Sequence, residues 1–423
     1  MQELTIHKFG GAALKNATYI RRIAQIIQEL PAKNTVIVVS AIDKTTNHLE
    51  RLARYAKNLD SNQTQRQFKK IKEFHNQIVN ELFNEKLYFN TVEKLSVLFK
   101  DLEQIIAGVL LLGDFPDRTH DRIMSFGELF SSIIVYEYLA AQQLSITWVD
   151  SREIIITDSQ IGQSDVIWSL TEKYIQQKIS SLLSSGYILT QGYIAANTEG
   201  KTTTLGREGS DYSAAIIAAS LNARKVIVWK DVLGVLTQDP RFFDSPSLIS
   251  ALSYEQAIEM TYAGASVLHP KTLKPLFQKN IPLQVRSFLD TKNAGTIIGN
   301  FPYLHHLPIK LKKTNLAAIQ FTIKDFNYLT NKNLLEITAN VSELNFTITF
   351  IQHQARTLLL CIENRPNDIQ KLREQTMDLY DITIWSPVSA ITIHNEQTEF
   401  SPAQKMIAKQ LIDNKLVIVL QEE

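Results

Sequence analysis

Between Thr35 and Val39 the chain runs Thr-Val-Ile-Val-Val, five β-branched residues in a row with no apolar–polar alternation. A strand with one face in water would alternate, so this one is predicted to be buried on both faces. Such a strand needs helices above and below it, which is the setting of a parallel sheet. Leu4–Phe9, Ile146–Val149, Gly186–Thr190 and Lys225–Val228 read as further strands, with helical stretches such as Tyr19–Leu30 between them. The fold class expected is therefore α/β, a mostly parallel sheet sandwiched by helices. From about His48 to Ala141 the sequence is almost wholly helical and rich in Lys, Gln, Asn and Glu, which predicts a helical insertion.

The rhythm changes near Gly295–Pro308. Beyond it, Ala317–Ile323, Leu329–Leu344, Thr347–Gln352, Thr357–Glu363, Pro366–Met377 and Ile382–Trp385 follow the β-α-β-β-α-β order of a ferredoxin-like unit. Ala390–His394 as a strand, Ala403–Leu411 as a helix and Leu416–Leu420 as a strand make part of a second. At 423 residues the chain is long for one core, in keeping with two or three domains.

Composition removes several classes of function. A net charge of +1 argues against a general nucleic-acid or membrane-surface binder. Cys361 is the only cysteine, so an intramolecular disulfide and a Cys-rich zinc site are excluded. The nine histidines show no metal-ligand spacing, and His305-His306 reads as a solvated linker pair. No leader-type segment opens the chain, and no run approaches the roughly 18 apolar residues of a membrane span. A cytoplasmic protein without nucleic-acid or membrane partners is expected.

Six segments could carry chemistry. Thr202–Ala214 is polar and glycine-punctuated, then enters an alanine-rich helix; Arg207 offers a fork for a carboxylate or phosphate, with Ser210 and Asp211 beside it. An ordinary cap by Ser210 or Asp211 is the plainer reading. Lys8-Phe9-Gly10-Gly11 sets a point charge and a close-approach turn at the end of the first strand, suited to phosphate, yet fits neither the dinucleotide fingerprint nor the Walker loop. Ser40–Asn47 follows the second strand, where open α/β sheets bind ligands. Glu128 is expected at the head of the apolar helix Leu129–Ala141, either capping its dipole or binding an ammonium group. Trp229–Arg241 suits a nucleotide or a metal-phosphate, and Ala263–Lys271 is a second candidate rim.

Taken in order, these segments closely resemble the aspartate kinase family of amino-acid kinases. The stretches are Lys-Phe-Gly-Gly at 8–11, Ser-Ala…Thr-Thr-Asn at 40–47, Phe-Gly-Glu-Leu at 126–129 and Thr-Gln-Gly-Tyr-Ile at 190–194. They continue with Thr-Thr-Leu-Gly-Arg-x-Gly-Ser-Asp-Tyr at 203–212, Lys-Asp-Val…Asp-Pro-Arg at 230–241 and Gly-Ala-x-Val-Leu-His-Pro at 264–270. The resemblance implies an amino-acid kinase catalytic domain over 1–298 and a regulatory region over 299–423. The latter would hold an ACT unit at about 313–387 and a shortened second one at about 388–423. It further implies phosphorylation of the side-chain carboxylate of L-aspartate by ATP, with Mg2+ carried by the nucleotide and no protein metal site. The product would open the route to lysine, threonine and methionine. A single activity, a homodimer or higher homo-oligomer and an amino-acid effector at the ACT region are also implied.

Carried over position by position, Arg207 would clamp the α-carboxylate of aspartate, while Glu128, Asp211 and Ser210 would hold its ammonium, with Thr46 and Tyr193 also at the substrate. Lys8, Gly10 and Gly11 would stabilise the transferring phosphoryl group. Ser40, Lys230, Asp231, Leu236, Arg241 and Ser266 would face the nucleotide. Lys8, Glu128, Arg207 and Asp211 would form the catalytic set. The chain departs from the pattern at Ala12-Ala13, where Thr-Ser is usual, at Asp43, at Glu208, where Gly is usual, and at Ser266, where Lys is frequent. The alternatives are a non-catalytic amino-acid sensor or partner subunit, or a kinase of another small carboxylate.

Overall fold

A computed structural model describes residues 3–265, 268–304, 308–394, 404–412 and 415–422. The chain divides into two compact units, one made of Met1–Val235, Ser250–Tyr254 and Leu268–Phe301, the other of Leu236–Ile249, Glu255–Val267 and Pro302–Glu423. His305-His306 lies outside the described residues.

The amino-terminal part runs β1 (Thr5–Phe9), α1 (Ala17–Gln28), β2 (Thr35–Val39), then four successive helices, α2 (Thr45–Lys57), α3 (Ser61–Leu82), α4 (Glu85–Leu112) and α5 (Asp117–Ala141). It continues with β3 (Ile146–Val149), β4 (Ile156–Thr157), α6 (Trp168–Ile179), β5 (Tyr187–Gln191), β6 (Ile194–Asn197), β7 (Thr202–Thr204), α7 (Gly209–Leu221) and β8 (Lys225–Lys230). β9 (Ala251–Ser253), α8 (Tyr254–Tyr262), α9 (Pro270–Gln278), β10 (Leu283–Ser287) and β11 (Thr296–Gly299) follow. The main sheet of the first unit has eight strands in the order β3-β5-β2-β1-β8-β10-β11-β9. β1 pairs in parallel with β2 and β8, β5 with β2 and β3, and β10 with β8; β10 and β11 pair antiparallel. All five residues of β2 are buried, as its unbroken β-branched run requires.

The helical stretch α2–α5 does not form a core of its own. Leu49, Phe68, Leu95, Ile106 and Phe130 belong to the same buried cluster as Phe9, Val39 and Leu189 from the sheet. α5 has the length and hydropathy of a membrane span, which the sequence reading did not register because Ser125, Glu128 and the serine pair 131–132 interrupt it. Its apolar window is 78% buried inside the protein, so the apolarity serves the core.

The second unit carries β12 (Ile309–Ile323), α10 (Asn331–Glu343), β13 (Phe350–His353), β14 (Thr357–Glu363), α11 (Pro366–Thr376), β15 (Tyr380–His394), β16 (Met406–Ile412) and β17 (Lys415–Gln421). They form a six-stranded antiparallel sheet, β13-β14-β12-β15-β17-β16. Ile319, Phe321, Leu358 and Leu360 pack with Ile337 of α10 and Leu372 of α11, while Ala318, Leu359 and Cys361 of the opposite parity form a separate cluster. The helix expected at Ala403–Leu411 is corrected by β16, which pairs antiparallel with β17. Apolar residues at 406, 407, 408, 411 and 412 fit either period, and the dipeptide Asp413-Asn414 between two apolar runs was the hairpin signal.

Candidate active site

Four parallel strands end at one place. Lys8 sits near the end of β1, Ser40 and Ala41 follow β2, Tyr193 follows β5, and Lys230 closes β8. These residues, with Gly11, Thr46, Glu128, Arg207, Ser210 and Asp211, line a cavity of about 460 Å3 in the first unit. The carboxyl ends of strands flanking a central β1, where the chain order reverses, are where open α/β sheets place ligands.

Two close approaches shape its walls. A Cβ on Gly192 would lie 2.4 Å from Cβ of Ser210, so the missing side chain lets the β5–β6 turn lie against the start of α7. A Cβ on Gly127 would lie 2.9 Å from Cβ of Ala41, so its absence brings the middle of α5 against the loop after β2. That approach lets the Ala41 N–H donate to Glu128 Oε1 at 3.3 Å. Glu128 is thus in the interior of α5 (Asp117–Ala141), not at a helix head, and the dipole-cap reading is corrected. Gly127 allows this contact between helix and loop.

Charge in the cavity is unevenly distributed. The Lys8 ammonium lies 2.5 Å from Asp211 Oδ1 and that of Lys230 lies 3.4 Å from Asp211 Oδ2. Burial by itself would raise the Asp211 carboxyl, but the two ammonium groups outweigh it and hold it below the ordinary range. Asp211 therefore does not serve as a cap, and neither does Ser210, since α7 has no side-chain cap. Glu128 is only 3% exposed, and burial pushes its carboxyl up to about 8, against the lowering pull of the Ala41 N–H and Lys8. Its Oε2 has no hydrogen-bond partner. Burial also raises the Tyr193 phenol, whose backbone N–H donates to Ser213 Oγ at 3.0 Å. Arg207 is exposed at the cavity wall.

Among the residues singled out by sequence, Gly10 and Asp231 adjoin this group but do not line the cavity. Leu236 and Arg241 belong to the second unit, where the Arg241 guanidinium is paired with Asp239. Ser266 lies outside the described residues. Sequence reasoning missed Asp121, which is buried and accepts from the Gly162 N–H at 3.0 Å and the Thr204 hydroxyl at 3.0 Å. It thereby fixes the Gly162 loop that forms another part of the cavity wall. The available signal was its spacing of seven residues from Glu128, two turns along one helix face. Among the described residues no group of three His, Cys, Asp or Glu side chains could hold a metal ion.

Residues 3–287 match the amino acid kinase family. The chain is 34% identical to a bifunctional aspartokinase/homoserine dehydrogenase of Buchnera aphidicola over 296 residues, which are 69% of this chain and 36% of that one. It is 29% identical to the lysine-sensitive aspartokinase 3 of Escherichia coli over 377 residues, 86% of this chain and 79% of that one. The chain spans about a third of the length of the bifunctional relatives it matches. In three dimensions it is similar to E. coli aspartokinase III solved in complex with aspartate and ADP, with a TM-score of 0.84, 23% identity and coverage of 99% of this chain and 96% of that one. At that identity the likeness is one of fold.

Proposed function

The chain belongs to the amino acid kinase family, and we propose that it transfers the terminal phosphoryl group of MgATP to the side-chain carboxylate of L-aspartate, giving 4-phospho-L-aspartate. The observation that carries this reading is Asp211, ion-paired to both Lys8 and Lys230 in a cavity that also holds Arg207 and Glu128. Two anions must approach one another in such a transfer, so catalysis rests on positioning and on positive charge rather than on a nucleophilic side chain. Lys8 and Lys230 supply the charge, and Asp211 fixes where their ammonium groups point. Gly10 and Gly11 leave the backbone open to the transferring group. Arg207 takes the α-carboxylate, and Glu128 receives the α-ammonium with Ser210, Thr46 and Tyr193 around it. Ser40 and Asp231 are assigned to the nucleotide with Lys230. Leu236, Arg241 and Ser266 are assigned to it on the resemblance alone. Mg2+ enters with ATP.

A free amino acid is proposed as effector of the second unit, in keeping with the lysine-sensitive relative. A cytoplasmic homo-oligomer is the proposed setting. The test is ADP release from MgATP with and without L-aspartate, with hydroxylamine trapping of the acyl phosphate. Aspartate-dependent ADP and a hydroxamate are expected. Silence with aspartate, glutamate, N-acetylglutamate and UMP, despite measurable aspartate binding, would overturn the kinase in favour of a sensor.

A further inference from the structure

Glu208 lines the cavity between Arg207 and Gly209. Its backbone is left-handed, with φ 53° and ψ 27°, a conformation glycine adopts freely and a residue with a Cβ adopts at some expense. A carboxylate at this position commonly caps a helix, yet its side chain caps nothing here. Its Oε2 is buried and accepts no hydrogen bond. Strain and an unpaired buried oxygen on one residue both oppose folding, and such combinations gather where a ligand is awaited.

The charges of the cavity narrow what that ligand group is. Lys8 and Lys230 are engaged by Asp211, whereas among the described residues neither Arg207 nor Glu208 is ion-paired. One wall thus presents a guanidinium and a carboxylate from consecutive residues. A free amino acid carries the matching pair, a carboxylate and an ammonium on one carbon. A nucleotide-bound cation would instead be expected where the phosphates meet Lys8 and Lys230.

We propose that Glu208 is a specificity-determining residue: its carboxylate receives, together with Glu128, the α-ammonium of the acceptor whose α-carboxylate Arg207 holds. Acceptors with an acylated or missing amino group are thereby excluded. The identity of the acceptor as aspartate rests on the kinase reading above; the demand for a free ammonium group does not.

The experiment compares the wild type with Glu208→Gln and Glu208→Gly, using L-aspartate, N-acetyl-L-aspartate and L-malate as acceptors. Glu208→Gln should raise the KM for aspartate about tenfold, with kcat and the KM for MgATP changed by less than about twofold. Its preference for aspartate over malate should narrow by a similar factor. Glu208→Gly should show the same KM shift, which separates the lost charge from the backbone strain. An unchanged KM for aspartate in both variants, or a rise in the KM for MgATP in its place, overturns the proposal. If the wild type releases no ADP, the kinase reading fails by itself. Calorimetric affinities for aspartate and malate then decide Glu208: a smaller difference in Glu208→Gln supports it and an unchanged difference overturns it.

Discussion

The first turn of α7 and the middle of α5 each present a buried carboxyl group to the same cavity, and the two are shifted in opposite directions. Asp211 is 2% exposed and Glu128 is 3% exposed, so burial disfavours both ions alike. What separates them is company. Asp211 has two ammonium groups within 3.4 Å, and Glu128 has one backbone N–H on Oε1 and nothing on Oε2. Asp211 stays ionised and keeps the cations in place before any ligand arrives; Glu128, with its carboxyl pushed up to about 8, holds a proton at neutral pH until a cation comes to it. One group thus belongs to the permanent machinery and the other is set to respond.

The largest effect should come from the permanent group. Lys8→Ala is expected to lower kcat by about 10²–10³, the size of losing one preorganised electrostatic contact, while the KM for aspartate moves by less than about threefold. Steady-state kinetics decide it, and an equal loss in both parameters would move Lys8 from the phosphoryl group to the substrate. Asp211→Asn removes the acceptor that neutralises Lys8 and Lys230. Breaking a buried pair from one side should lower stability by about 3 kcal/mol in urea denaturation; a loss indistinguishable from zero would mean that water already screens the pair.

Glu128 gives a prediction of opposite sign in pH. Its carboxyl titrates at 4.5 when unfolded and at about 8 when folded. The folded protein therefore keeps a proton that the unfolded chain has released, so this contribution to stability is full below pH 4.5 and is lost as pH rises through 8. Glu128→Gln should leave stability unchanged near the lower pH and raise it relative to the wild type, by on the order of a few kcal/mol, above the upper one. Parallel urea curves for the two proteins at both ends of the range would break the contrast with Asp211. Arg207→Lys is the smallest change: a point charge replaces a planar fork, and the KM for aspartate should rise about tenfold with kcat little altered.

Much of the framework was legible because it is local. The β-branched run of β2 announces burial on both faces, and a lysine before two glycines announces a strand end open to an anion. Glu128 shows where that reading stops. Phe126-Gly127-Glu128 looks like a helix entrance because glycine disfavours helix interiors, yet α5 runs through it, and the glycine is explained by Ala41, a contact 86 residues away. Met406–Ile412 failed for a different reason: its apolar spacing suits a helix, and only pairing with β17 makes it a strand. Asp121 carried a faint signal of helical spacing, but its partners Gly162 and Thr204 are 41 and 83 residues distant.

By itself, then, the sequence determined the parallel strands β1, β2, β3, β5 and β8, that β2 needs cover on both faces, and that charged loops follow their carboxyl ends. These properties depend on side-chain branching and on spacing along the chain. Only the tertiary structure decided that Asp211 sits between two lysines, that burial raises the Glu128 carboxyl and that Oε2 of Glu208 is buried without a hydrogen bond. Desolvation and Coulomb energy are set by distance through space, and the neighbours that shift the Asp211 and Glu128 carboxyls are drawn from strands and helices that only the folded chain brings together.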